Sequence, residues 1–204
     1  MDKKKLIIFD FDGVLFNSLK NMEIAWENVN LKFGLKIEFQ EYKKNIGFPF
    51  QEILKNLGIN SNRTQIQKYY NLISSYNIDK IQPYKNTLKT INKLKLKNIK
   101  IAICTSKDKI RTNFVIKKYN LEFDAIETIS TNIKGKPNPD QILRIIKNLK
   151  ELKKNSVFIG DMYVDYLTAK NAKIDYIHAQ WGFSHAKSYM LSINSIDKIF
   201  RYLV

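Results

Sequence analysis

The sequence is poor in several residue types whose abundance marks special classes of protein. Its single cysteine, Cys104, cannot form an intramolecular disulfide, and within the apolar run IAICT we expect it to be a buried, unreactive thiol. Seven glycines and four prolines are too few for a collagen-like or low-complexity chain. No apolar run approaches the roughly 20 residues of a membrane helix, and the start MDKKKLIIFDFD becomes acidic too soon for a signal peptide. These absences leave a globular protein, which we expect in the cytosol.

Acidic residues are also scarce, because 19 Asp and Glu stand against 35 Lys and Arg, giving a formal net charge of +16. Such an excess is one sign of a nucleic-acid-binding protein. The lysines are spread evenly, however, and often alternate with apolar residues at helical spacing, as in LKTINKLKLKNIK, which is typical of solvated helix faces. We therefore rank nucleic-acid binding low and expect a basic surface that favours a small anionic substrate.

Short apolar runs alternate with longer amphipathic segments along most of the chain. The apolar runs predict strands that are buried on both faces: KLIIFD (5–10), IKIAICTS (99–106), DAIETIS (124–130), SVFIGD (156–161) and DYIHAQ (175–180). Residues 87–98 and 141–150 carry apolar side chains at spacings of three and four, which predicts helices, the second with Asn138 as its cap and Pro139 in its first turn. This alternation predicts a doubly wound α/β fold with a mainly parallel sheet.

Residues 18–82 interrupt the alternation, because they contain no convincing strand pattern. Two helical stripes are present instead, the first formed by Met22, Trp26, Val29 and Phe33 and the second by Ile66, Tyr69 or Tyr70, Ile73 and Tyr76. We predict a helical insert with its own core, in which residues 47–50 form a loop between helices. The remaining residues, 1–17 and 83–204, are predicted to form the catalytic core.

Polar residues follow three of the predicted strands at the point where each strand ends. In a parallel sheet these carboxyl ends meet at one edge, which is where ligands bind. Singly, each residue could be a turn or a helix cap. Together they form one candidate site: Asp10 and Asp12, Thr105 and Ser106, and Asp161 and Asp165, with Lys136 in the loop GKPNPD.

Magnesium and phosphate chemistry explains why such residues would converge. Several carboxylates packed together repel one another unless a cation neutralises them, and Mg²⁺ prefers oxygen ligands. A carboxylate can also attack phosphorus, while a lysine and a hydroxyl stabilise the charge on the transferring phosphoryl group. Gly13 is expected to let the backbone turn tightly beside that phosphate. The pattern therefore predicts magnesium-dependent phosphoryl transfer.

Four quoted stretches, DFDGVLFNS, ICTSKD, KGKPNPD and GDMYVDYLTAKNA, resemble the four ordered motifs of the haloacid dehalogenase-like hydrolase superfamily. The later WGF and SINSIDKIF resemble its phosphoglycolate phosphatase-like branch. That resemblance implies a Rossmann-like core and a helical cap after the first motif, which fits residues 18–82. The second aspartate of the first motif also argues against a dehalogenase, since that chemistry has no leaving alkoxide to protonate.

The resemblance assigns roles in phosphoryl transfer to four residues. It implies that Asp10 is the nucleophile and becomes phosphorylated. Asp12 would protonate the leaving oxygen and later activate water. Thr105 would hydrogen-bond the phosphoryl oxygens, and Lys136 would neutralise them and orient the nucleophile.

The resemblance also implies a Mg²⁺ site. Asp10 and the backbone carbonyl of Asp12 would reach the metal, and Asp161 would bind it directly. Asp165 would be either a further ligand or a support for the ligands.

These observations predict a phosphatase that hydrolyses a small phosphorylated metabolite, phosphoglycolate-like or a sugar phosphate, through an aspartyl-phosphate intermediate. One alternative is a phosphomutase of the β-phosphoglucomutase type, which uses the same core and returns the phosphoryl group to a sugar. A second is a non-catalytic basic protein that binds nucleic acid or a partner on the same fold, which the intact carboxylate set disfavours.

Overall fold

A computed structural model of the chain describes residues 4–130, 133–185, 187 and 190–203. Its central feature is a parallel sheet with the strand order β5-β4-β1-β6-β7-β8. These strands are β1 (Leu6–Phe9), β4 (Lys100–Cys104), β5 (Ala125–Glu127), β6 (Ser156–Gly160), β7 (Asp175–Ala179) and β8 (Ser192–Ile193). The five predicted strands all lie in this sheet, and β8 adds a short edge strand that the sequence patterns did not indicate.

The central strands β1, β4 and β6 are buried on both faces because they are apolar along most of their length, whereas β5 at the edge of the sheet is only partly buried. In the central strand β1, Ile7 and Phe9 enter the hydrophobic cluster on one face, and Leu6 and Ile8 enter the cluster on the other. Successive side chains of a strand point to opposite faces, so an uninterrupted apolar run is what such a position requires. The predicted doubly wound α/β fold with a mainly parallel sheet is confirmed.

The helices that cover the sheet are α5 (Thr87–Leu96), α6 (Lys109–Lys118), α7 (Asp140–Asn148) and α8 (Tyr163–Ala172). Ile91 and Leu94 of α5 pack on the same face as Ile7, whereas Ile142 and Ile145 of α7 pack on the face of Leu6. Helix α7 begins at Asp140, one residue after the start that a cap at Asn138 would give, because Pro139 is the cap residue and not part of the first turn. The predicted cap by Asn138 is wrong, since its amide donates to the carbonyl of Gly135 instead.

Four further helices occupy residues 18–82: α1 (Leu19–Phe33), α2 (Phe39–Lys43), α3 (Phe50–Asn56) and α4 (Arg63–Tyr76). They share a core around the buried Trp26, on which the ring of Tyr42 stacks at 4.7 Å between centroids. The predicted stripe of α1 faces this core. In α4 the prediction for Tyr76 is wrong, because its side chain is 76% exposed.

Two short antiparallel strands connect this helical insert to the sheet. Strand β2 (Phe16–Asn17) leads into the insert and β3 (Gln82–Pro83) leads out of it, with Phe16 opposite Pro83. The loop predicted at residues 47–50 lies between α2 and α3, although Phe50 already belongs to α3. Among the described residues, no helix combines the length and the apolar character needed to cross a bilayer.

The lone cysteine behaves as the sequence predicts. Cys104 is free and completely buried at the end of β4. Burial in this apolar sheet raises the pKa of its thiol to about 12, so the thiolate form is suppressed at neutral pH.

Candidate active site

Three carboxylates meet where β1 and β6 end. Because Phe9 pairs with Ile159 in the parallel register, Asp10 and Asp161 leave neighbouring strands side by side, and the amide of Asp10 donates to the carbonyl of Ile159 at 2.8 Å. Asp165 joins them from the first turn of α8. Carboxylate oxygens of Asp10, Asp161 and Asp165 all lie within 4.8 Å of one another, and all three side chains are buried.

Lys136 binds two of these carboxylates. Its ammonium lies 2.9 Å from Oδ1 of Asp10 and 2.7 Å from Oδ1 of Asp165. Burial alone would lower the pKa of this lysine, but the two aspartates together raise the pKa above its ordinary value. Lys136 is therefore a buried cation that fixes the orientation of Asp10.

The carboxylate of Asp165 is also held by the chain. Its Oδ2 accepts hydrogen bonds from the backbone amides of Asp161 and Met162, at 3.2 and 3.0 Å, and so caps the start of α8. An acidic side chain is favourable there, because the first amides of a helix have no partner within the helix.

Asp161 is the only one of these three acids with a buried carboxylate oxygen that lacks a hydrogen-bond partner among the described residues. Its Oδ2 accepts the backbone amide of Phe183 at 2.6 Å, but its Oδ1 is buried without a hydrogen-bond partner among the described residues. Burial raises the pKa of Asp161 well above its ordinary value, and the charges of Asp165 and Asp10 raise it further. Three carboxylates against one ammonium leave an excess of negative charge, and an unpaired buried oxygen is the kind of atom that a hard cation binds.

Glycines make room for these acids. Gly13 has a φ of +87°, and a Cβ there would lie 2.2 Å from Oδ2 of Asp161. A Cβ on Gly182 would lie 2.2 Å from the Cβ of Asp161 from another side. The sequence predicted a tight turn at Gly13, and the positive φ confirms it. The space that a side chain at Gly13 would occupy is filled by the carboxylate of Asp161.

The carboxyl group of Asp10 has a raised pKa. Burial raises the pKa of its carboxyl from 3.8 to about 7, in part offset by the charge of Lys136 and reinforced by Asp165 and Asp12. Its Oδ1 also accepts the amide of Phe11 at 2.7 Å. Without a metal, this group is therefore partly protonated near neutral pH.

Asp12 lies apart from the three clustered acids. Its two carboxylate oxygens lie 3.1 and 3.2 Å from the ammonium of Lys107, which is itself buried. Burial lowers the pKa of Lys107, while the charge of Asp12 acts in the opposite direction. The carboxylate of Asp12 is thus separated from the metal-type cluster, and the predicted contact of its backbone carbonyl with a metal stays a prediction.

Thr105 reaches the same place from the end of β4. Its amide donates to the carbonyl of Glu127 at 3.0 Å, and its hydroxyl accepts the amide of Lys107 at 3.1 Å. The turn after β4 therefore fixes both residues, so that the hydroxyl lines the same cavity as Asp10 and Asp12.

This cavity is small and is closed by the helical insert. It has a volume of about 60 Å³ and lies between the strand ends and the side chains of Tyr42, Phe48, Phe50 and Tyr70. The hydroxyl of Ser106 donates to the carbonyl of Gly47 at 2.6 Å, which joins the core to the loop before α3. The insert therefore lies directly over the proposed nucleophile.

Two cations lining the cavity, Lys107 and Arg111, were not recognised as site residues from the sequence. Lys107 contacts a residue 95 positions earlier in the chain, and Arg111 contacts Ser74 of the insert. Such partners are set by tertiary structure. The only sequence signal was that Lys107 belongs to the stretch ICTSKD, two residues after Thr105.

The fold and the site define a Rossmann-like α/β protein with a centre of buried carboxylates at the edge of its sheet. A family model for haloacid dehalogenase-like hydrolases matches residues 7–179, so the chain belongs to that family of enzymes. The resemblance seen in the sequence motifs is thereby confirmed.

Similar proteins are found among both curated sequences and solved structures. A Clostridium perfringens protein provisionally named pyrophosphatase PpaX is 28% identical over 174 residues, which cover 82% of this chain and 80% of that one. A phosphoglycolate phosphatase from Aquifex aeolicus is 25% identical over 186 residues, covering 88% and 86%. The structure of a Bacteroides fragilis protein, provisionally assigned to the haloacid dehalogenase-like hydrolases, superposes with a TM-score of 0.89 at 24% identity over 97% of this chain and 100% of that one. The structural likeness supports the fold, and the names of the curated relatives agree with the predicted phosphatase class.

Proposed function

We propose that this protein is a Mg²⁺-dependent phosphatase that hydrolyses a small phosphorylated metabolite, phosphoglycolate-like or a sugar phosphate, through an aspartyl phosphate. The observation that carries the proposal is the buried group of Asp10, Asp161 and Asp165 around Lys136. Family membership supports hydrolase chemistry, and relatives named as phosphatases support a phosphate ester as substrate.

In the proposed first step, a carboxylate oxygen of Asp10 attacks phosphorus and the bond from phosphorus to the leaving oxygen breaks. Asp12 gives its proton to that oxygen, so the leaving group departs as an alcohol. In the second step Asp12 takes a proton from water, which attacks the aspartyl phosphate and releases inorganic phosphate. The separation of Asp12 from the acid cluster suits this role, because its proton must move while Asp10 forms a bond.

The residues present fit a magnesium ion. Asp10 and Asp161 would bind it, helped by the backbone carbonyl of Asp12, and Asp165 would bind it or support the other ligands. The unpaired Oδ1 of Asp161 and the excess of carboxylates over ammonium groups support this assignment. A bound Mg²⁺ would supply positive charge to the phosphoryl oxygens.

Thr105 and Lys136 would stabilise the phosphoryl group from the protein side. The hydroxyl of Thr105 lines the cavity, and Lys136 already holds the oxygen of Asp10. Fixed donors aimed at developing charge are worth most where water is excluded, as in this small cavity.

The domain assignment is part of the proposal. Residues 1–17 and 83–204 would carry the chemistry, and residues 18–82 would act as a cap that excludes water and selects substrates. The contact of Ser106 with Gly47 and the position of Phe48 over the cavity support a selective role for the loop at residues 45–50.

The test is the release of phosphate from a generic aryl phosphate with and without Mg²⁺. Chelation should abolish activity and Mg²⁺ should restore it, while Asp10→Asn should be folded and inactive. Asp79→Asn is a matched control, because its exposed side chain lies outside the cavity lining. Full activity in excess chelator, or an active Asp10→Asn variant, would contradict the mechanism. A phosphomutase would instead move the phosphoryl group within a sugar phosphate without net phosphate release.

A further inference from the structure

The cavity wall that faces Asp10 from the side of the insert is rich in hydrogen-bond donors. Its polar side chains are Tyr42 of α2, Tyr70 of α4 and Arg111 of α6, and apolar side chains from the insert surround them. None of these three residues has a place in the two steps of phosphoryl transfer. The leaving group of a substrate must nevertheless lie on this side, because the strand ends are taken by the phosphoryl group.

Arg111 is held rigidly and still has hydrogens to donate. Its Nε donates to Asp108, its Nη1 to the hydroxyl of Ser74 at 2.6 Å and its Nη2 to the amide oxygen of Asn71 at 2.9 Å. Each Nη nitrogen carries two hydrogens, so these bonds leave one on each within the part of the chain that the structure describes. The guanidinium also lies 5.7 Å from the centroid of the Tyr70 ring.

The two tyrosines add one more donor. Their hydroxyls are 2.9 Å apart, and both side chains are buried. Two hydroxyls carry two hydrogens, and the bond between them uses only one, whichever of the two oxygens accepts. One O–H therefore remains for a third group in the cavity.

The other cation of the cavity, Lys107, is held by an acid that lines the same cavity. Lys107 is bound by both oxygens of Asp12, whereas Asp108, which offsets part of the charge of Arg111, lies outside the cavity lining. Of these two cations, Arg111 keeps more unused hydrogens, because Asp12 takes two of the three on Lys107, whereas Arg111 keeps one on each Nη nitrogen among its described contacts. Two N–H groups and one O–H group complement a group that only accepts hydrogen bonds, such as a carboxylate or a phosphate.

We propose that Arg111, together with the remaining hydroxyl hydrogen of the Tyr42–Tyr70 pair, recognises a second oxyanion on the leaving group of the substrate. This inference rests on the proposed phosphatase function and makes Arg111 a residue that determines specificity. The second oxyanion is a carboxylate or a phosphate on a compact leaving group, because the cavity of about 60 Å³ holds only roughly five water molecules.

The experiment compares three phosphate esters of similar size and pyrophosphate. 2-Phosphoglycolate carries a carboxylate, ethyl phosphate is neutral at the same end, and 2-aminoethyl phosphate is cationic there; pyrophosphate offers a second phosphate. The wild type should show a kcat/KM at least tenfold higher for phosphoglycolate or pyrophosphate than for ethyl phosphate. Whichever of the two is preferred identifies the oxyanion, and 2-aminoethyl phosphate should be the poorest substrate.

Arg111→Met should lower kcat/KM for the anionic substrate by roughly ten- to a hundredfold, the range for hydrogen bonds to a charged group, and change ethyl phosphate by less than threefold. Arg111→Lys should recover part of this loss, since it keeps the charge. The double variant Tyr42→Phe/Tyr70→Phe, which removes both hydroxyls, should show the same selectivity at smaller size, since either single substitution still leaves one O–H in the cavity. Arg144→Met is the matched control, because Arg144 is 54% exposed beside Glu127 and lies outside the cavity lining.

Ser74→Ala separates recognition from a purely structural role. If Arg111 only ties α6 to the insert, then Ser74→Ala and Arg111→Met should both lower activity equally on every substrate, and that result would overturn the inference. So would a wild type that hydrolyses aryl and ethyl phosphates equally well as phosphoglycolate and pyrophosphate, although the proposed phosphatase function would then stand.

A binding measurement makes the test independent of turnover. In the Asp10→Asn background, calorimetry with 2-phosphoglycolate and with pyrophosphate should give a Kd roughly ten- to a hundredfold weaker after Arg111→Met for the preferred ligand. Unchanged binding of both ligands in a double variant that melts as the single variant does would overturn the inference. If no substrate is hydrolysed but binding depends on Arg111, the proposed catalysis fails and the recognition site remains.

Discussion

Asp10→Asn should stabilise the metal-free protein above neutral pH, although it removes the proposed nucleophile. Folding raises the pKa of Asp10 from 3.8 to about 7, so the folded state resists ionisation of this group while the unfolded state does not. The penalty is absent below the unfolded pKa, grows as the pH rises from 3.8 to about 7, and is constant above. At 1.36 kcal/mol per pKa unit it reaches about 4 kcal/mol at pH 8 and about 2 kcal/mol at pH 5. Asparagine never ionises and avoids this cost.

The assay is urea unfolding in excess chelator at both pH values. The free energy of unfolding of Asp10→Asn should exceed that of the wild type by about 4 kcal/mol at pH 8, equivalent to a rise in Tm of roughly 8–16 °C for a chain of this size. Added Mg²⁺ should narrow the difference, because it compensates the charge of Asp10 in the wild type. Asp79→Asn should change neither value. An Asp10→Asn variant that is no more stable than the wild type at pH 8 in chelator would refute the reasoning. It would show that the ion pair between Asp10 and Lys136 stabilises the fold by at least as much as burial of the Asp10 charge destabilises it.

Four further outcomes are expected. Lys136→Met should lower kcat/KM for all substrates together, by about a hundredfold or more, because Lys136 stabilises the phosphoryl group that all of them share. Phe48→Ala should instead change the order of kcat/KM among metabolites and leave kcat/KM for a generic aryl phosphate nearly unchanged. Steady-state kinetics measures both. Gly13→Ala should abolish activity through its overlap with Asp161, whereas Gly58→Ala, also at positive φ but with no atom within 4 Å, should cost only about 1 kcal/mol of stability in urea unfolding. DNA affinity, measured by fluorescence anisotropy across a salt series, should be weak and vanish at moderate salt, and tight sequence-selective binding would contradict the low rank given to nucleic acid.

The sheet could be predicted from the sequence because its signal is local. The central strands β1, β4 and β6 are almost continuous apolar runs, and burial on both faces demands such a run, while the partly buried β5 and β7 carry shorter apolar stretches. Strand β8 was not predicted, because its two residues, Ser192 and Ile193, are too few to show a hydrophobic pattern. Tyr76 fits the stripe of α4 by spacing alone, but it is the last residue of that helix and is 76% exposed.

The site was predictable to the extent that strand ends define it. The parallel register of β1 and β6, with the turn after β6, brings together three carboxylates, those of Asp10, Asp161 and Asp165. The fourth residue, Lys136, supplies the positive charge that partly balances them. The pairing of Asp12 with Lys107 was not predictable, since nothing local decides which of several lysines reaches a given aspartate.

The short strands β2 and β3 have a consequence for the history of this fold. Because Phe16 lies opposite Pro83 and Asn17 opposite Gln82, the two ends of the 65-residue span from 18 to 82 emerge side by side. None of the strands of the main sheet comes from that span in the described chain. A lineage could therefore lengthen, exchange or reduce the insert to a tight hairpin through changes at one point of the gene. The machinery that breaks the phosphate bond would persist while the range of compounds admitted to it changed.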